Sequence, residues 1–83
     1  MMLGDADKET VIRCAKKYNI SSVYVFSEPY DAVLGIEYSD ARIFFRFYGE
    51  LLRTLTVPFD VLDLSVKSLY SKIVEKEGEK IYG

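Results

Sequence analysis

The stretch "SDARIFFRFYGELLRTLT", Ser39 to Thr56, decides the fold, because it can be read two ways. With a turn at Ser39-Asp40, "ARIFFRFY" is a strand paired with the one before it. With Ser39 or Asp40 as a cap, the whole stretch is one helix. The polar positions favour the helix. Arg42, Arg46, Glu50 and Arg53 are separated by four, four and three residues, which makes one stripe on a helical surface. Ile43, Phe47, Leu51 and Leu55 make a second stripe, and Phe44, Tyr48 and Leu52 a third beside it. Gly49 opposes this reading, since a glycine inside a helix costs on the order of 1 kcal/mol relative to alanine.

Outward from that helix the pattern is simpler. Upstream, "DADKETVIRCAKKYN", Asp5 to Asn19, reads as a helix with Asp5 or Asp7 as cap and Asn19 as stop. Val11, Cys14, Ala15 and Tyr18 share one of its faces. "SVYVF", Ser22 to Phe26, and "AVLGIEY", Ala32 to Tyr38, are nearly continuous apolar runs, as expected for strands covered on both faces. Downstream, "FDVLDL", Phe59 to Leu64, is a strand that Pro58 can open. Leu69 to Glu77 is a helix with Leu69, Tyr70, Ile73 and Val74 inward, and Gly78 sits where a left-handed stop belongs. "KIY", Lys80 to Tyr82, reads as a short closing strand. The expected fold is α/β (α+β), a single domain over 1–83. It has a small mixed sheet of three to four strands flanked by helices.

Composition bounds the function. Hydrophobic residues make up 49% of the 83, enough for a core and too many for a disordered chain. A chain this short leaves much surface outside its core, so self-association is a natural stabiliser. The net charge of −2 argues against non-specific nucleic-acid binding, which needs a cationic excess. Cys14 is the one cysteine and there is no histidine, so neither a structural zinc site nor a Cys-His dyad is expected. Cys14 reads as a small buried hydrophobe. No run reaches transmembrane length and no leader pattern opens the chain, so the expected location is cytoplasmic. Glu and Lys richness fits a thermophilic source.

The tail, "FDVLDLSVKSLYSKIVEKEGEKIYG", resembles the C-terminal half of the minimal nucleotidyltransferase domains, relatives of the DNA polymerase β superfamily. Those domains have an acidic strand of this type, then a connector, a helix ending in Glu-Gly, and a short strand ending in tyrosine. The leading helix and "ISSVYVF" also resemble the segment that enters that family's active-site loop. The family's chemistry uses a Gly-Ser turn whose amides approach the nucleotide phosphates. An Asp-x-Asp pair opens the second strand, and a third aspartate lies on the next. The carboxylates hold Mg²⁺ ions that clamp the attacking and leaving oxygens.

Carried over residue by residue, most of that site is missing. Ser27 occupies the place of the Gly-Ser turn, without its glycine, and the loop is collapsed at Glu28. Asp31 matches the second aspartate of the pair, while Pro29 stands where the first would be. Asp60 matches the third. The segment "SEPYD", Ser27 to Asp31, thus looks like what remains when a catalytic loop is deleted and closed by a proline turn. The resemblance implies an inactive nucleotidyltransferase-like domain with no cofactor. Minimal-family members are often paired with small helical HEPN-type proteins in toxin–antitoxin-like modules, so it implies such a partner or a homo-oligomer. Asp31 and Asp60, with Glu28 replacing the missing ligand, would hold Mg²⁺ only in the alternative, an active enzyme with an abbreviated loop. The contact surface expected for a partner is a second apolar face on the central helix, Phe45, Tyr48 and Leu52.

Overall fold

The computed structural model describes residues 3–27 and 32–83. Seven elements follow one another: α1 (Asp5–Lys17), β1 (Ser22–Ser27), β2 (Ala32–Glu37), α2 (Ala41–Thr54), β3 (Phe59–Asp63), α3 (Leu69–Glu77) and β4 (Glu79–Tyr82). The Ser39–Thr56 segment is a helix, and Asp40 caps it by accepting a hydrogen bond from the Arg42 amide at 2.9 Å. The sheet order is β3-β2-β1-β4. β1 runs antiparallel to β2 and to β4, while β2 and β3 are parallel, so the sheet is mixed.

Alternation along β1 and β2 divides the core. Val23 and Val25, with Ala32, Leu34 and Ile36, face α1 and α2. There they meet Val11, Cys14 and Ala15 of α1 and Phe44, Phe47 and Leu51 of α2. The other face belongs to α3, which rests on β1 and β2. Gly35 points that way: a Cβ built there would lie 2.9 Å from Val74 Cγ1 and 3.1 Å from Leu64 Cδ1. Both central strands are therefore covered on both sides, as their apolar runs predict.

Three expectations change. Asp5 and Asp7 do not cap α1; its cap is Gly4, with no side-chain hydrogen bond. Asp7 is instead buried and accepts from the Thr56 hydroxyl at 2.6 Å, joining the start of α1 to the end of α2. Gly78 is extended (φ −77°), not left-handed. Close approach is its reason to be glycine, since a Cβ would sit 2.5 Å from the Val74 carbonyl oxygen and 3.1 Å from that of Val25. Asn19 is left-handed (φ 56°) and ends α1 as expected.

The third change is the largest. α3 does not turn Leu69, Tyr70 and Ile73 inward: Leu69 is 77% exposed, and Tyr70 and Ile73 are open to solvent as well. Only Ser71 and Val74 of α3 are buried. A capping box fixes this orientation. Ser68 Oγ accepts from the Ser71 amide at 3.0 Å, and Ser71 Oγ accepts from the Ser68 amide at 2.9 Å.

Candidate functional site

Of the sequence-derived site candidates, Ser27 and Asp60 lie within the described residues. Ser27 closes β1 and is exposed; its register partner is Ala32, the first residue of β2. Only four residues, 28–31, separate the two, so β1 and β2 form a direct antiparallel hairpin. Glu28, Pro29, Tyr30 and Asp31 lie outside the described residues. Asp60 is described: it is the second residue of β3, exposed, and in register with Val33 of β2. Among the described residues its side chain has no hydrogen bond or ion pair, and no three side chains of the His, Cys, Asp or Glu type converge.

A cavity of about 320 Å³ opens beside Ser27. Its polar walls are Ser27, Lys8, Glu77 and Glu79, and its apolar walls include Leu3 and Phe26. Lys8 is already paired with Glu79 at 2.9 Å. That bond is the main cause of the upward shift in the Lys8 pKa. One engaged cation and two carboxylates make a poor seat for a polyphosphate, whose charge needs several uncommitted donors.

The outer face of α2 is built differently. Phe45 is 68% exposed and Leu52 is 62% exposed. Tyr48, the third residue expected there, is half-buried and meets the Phe59 ring edge-on at 6.1 Å. Beside this row stand Arg42, Arg46 and Arg53, all exposed. Arg42 makes a 3.4 Å pair with its capping neighbour Asp40; Arg46 and Arg53 have no ion pair among the described residues. Gly49 lies between Phe45 and Leu52 on the helix. A Cβ there would meet nothing closer than an Arg53 guanidinium nitrogen at 3.7 Å, so no contact in the described chain requires the glycine.

Glu50 belongs to the arginine stripe by spacing but not by contact. Its carboxylate turns toward α1 and accepts from Lys17 Nζ and Tyr18 Oη at 2.8 Å each, and from Cys14 Sγ at 3.1 Å. Lys17, then Cys14 and Tyr18, hold the Glu50 carboxyl down to about 2. Burial, reinforced by Glu50, pushes the Cys14 thiol up to about 11, so the thiolate needed for nucleophilic work is suppressed. Sequence reasoning missed this clamp, although Cys14, Lys17 and Tyr18 are spaced to present three donors from one face of α1. A second polar join was also missed: Tyr38 donates to Asp63 at 2.5 Å while its ring stacks on Phe44.

No protein-family model matches this chain, no curated protein is similar to it, and no solved structure matches it. Among the described residues, no helix is long and apolar enough to cross a membrane.

Proposed function

We propose that this chain is a catalytically inactive nucleotidyltransferase-like domain that works in the cytoplasm as a protein-interaction module, with α2 as its contact surface. The carrying observation is the outer face of α2, where Phe45 and Leu52 project into solvent around an unneeded glycine. Large apolar side chains grouped this way mark interfaces. Gly49 opens a gap through which a partner backbone can come close. The arginines beside it select the partner's chemistry. Two copies of this face would bring Arg42 and Arg46 against like charge. A partner helix with an apolar stripe flanked by Asp or Glu would neutralise them. A small helical HEPN-type protein, the partner implied by the resemblance, would be one such partner, in a toxin–antitoxin-like pair.

Two features support the inactive reading. The four-residue link between Ser27 and Ala32 leaves little chain for a phosphate-binding loop. The adjoining cavity has carboxylates where phosphate donors are needed. The test supplies the chain with Mg²⁺, each labelled nucleoside triphosphate and an extract of the native host. No label should transfer to any protein or small molecule. Transfer by the wild type that is lost in Asp31→Ala would overturn the proposal. It would favour instead a working Mg²⁺-dependent transferase built on Asp31, Asp60 and Glu28.

A further inference from the structure

α3 carries a second apolar surface that the α2 reading does not use. Most amphipathic helices bury their large side chains and expose small or polar ones. α3 does the reverse. It buries Ser71 and Val74, the latter over Gly35, and turns Leu69 and Ile73 to solvent. Val66, in the connector before the helix, is 61% exposed and extends the same apolar surface. Tyr70 lies at its margin, with its ring edge-on to Phe26 at 6.4 Å. The capping box holds Leu69 in place as the first residue of the helix, so its exposure is built in and is not fraying.

We infer that this face pairs with the same face of a second copy, with the two α3 helices side by side and parallel about a twofold axis. The charges around the patch specify both occupant and direction. Within α3, Leu69, Ile73 and Lys76 are four and three residues apart, the spacing of a d-a-d seam, with Val66 just before it in the connector. In that frame Lys72 lies on one flank of the seam and Glu77 on the other, five residues further on. Across a parallel twofold these are the two positions that meet, so each copy's Lys72 faces the other's Glu77, twice per dimer. Neither residue has an ion pair among the described residues, while the nearby Lys67 is already matched to Glu75 at 3.4 Å. An antiparallel pairing would set lysine flank against lysine flank. Lys76 follows on the seam and ends it; its long stem lets the ammonium reach water. The patch is small, so the dimer is a weak one whose population follows concentration.

This inference does not depend on the α2 reading. Its test is sedimentation of the full chain over a range of concentrations. The expected result is a concentration-dependent shift from the 9.5 kDa chain mass to twice that value. Leu69→Ser should remove the dimer. Lys72→Glu should weaken it at least about tenfold, and adding Glu77→Lys to that variant should restore it. All three residues are exposed, so far-UV spectra should be unchanged, and the lysine variant still decides the matter if the serine variant misfolds. A single chain mass at every concentration would overturn the inference. So would a dimer indifferent to Leu69→Ser, or a charge swap that fails to restore Lys72→Glu.

Discussion

α2 and α3 lie on opposite faces of one sheet and are held there by different means. α2 presses Phe44, Phe47 and Leu51 into the core and binds α1 through Glu50. α3 buries only Ser71 and Val74, and gains its seat by coming close to a glycine. The first helix is anchored by how much it buries, the second by how near it sits. Yet each leaves large apolar side chains outside, and the charges beside them differ. The α2 row is cationic and calls for an acidic partner. The α3 row has lysine on one flank and glutamate on the other, so it can complement itself.

The contrast can be broken most forcefully at Phe47, which is fully buried. Phe47→Ala should lower stability by about 3–5 kcal/mol in denaturant melts, through lost burial and a remaining cavity. A loss below about 1 kcal/mol would show that α2 is not anchored by size. Gly35→Ala tests the other helix. Its new methyl would stand 2.9 Å from Val74 Cγ1 and must push α3 outward, costing about 1–3 kcal/mol as overpacking does. A neutral result would mean that closeness does not seat α3.

The Glu50 clamp sharpens the comparison through pH. The carboxyl falls from an ordinary value of 4.5 to about 2 on folding, so the unfolded chain binds its proton first as pH drops. The clamp's contribution is therefore complete above about pH 4.5 and is lost progressively as pH falls toward about 2. In Glu50→Gln that part of the slope of melting temperature against pH should vanish. The smallest effect is expected at Gly49, where Gly49→Ala meets open space. It should raise stability by about 0.5–1 kcal/mol by helix propensity alone. If a partner backbone docks over this position, the same methyl should weaken that complex.

Every element was legible in the sequence to within a residue or two. The strands announced themselves as apolar runs, and the Arg42, Arg46, Glu50 and Arg53 stripe separated helix from strand in the stretch that decided the fold. Orientation was harder to read. Periodicity groups Leu69 with Ile73, but it does not say which side of α3 the sheet will take. Gly35, a residue in a different element, bears on that choice, since its missing side chain leaves room for Val74 of α3 and for Leu64. Glu50 was misplaced for a similar reason, since spacing put it among arginines while its contacts came from α1. Of the candidate site, Ser27 is the last residue of β1, in register with Ala32, and Asp60 is the second residue of β3, in register with Val33.

The central claim is that this domain binds through its helices and has no grip on nucleotide. Calorimetry of the purified chain with Mg²⁺ and ATP at millimolar concentration tests it most directly. The account predicts no saturable heat, in the wild type or in Asp60→Ala. Saturable binding in the wild type that disappears in Asp60→Ala would contradict it.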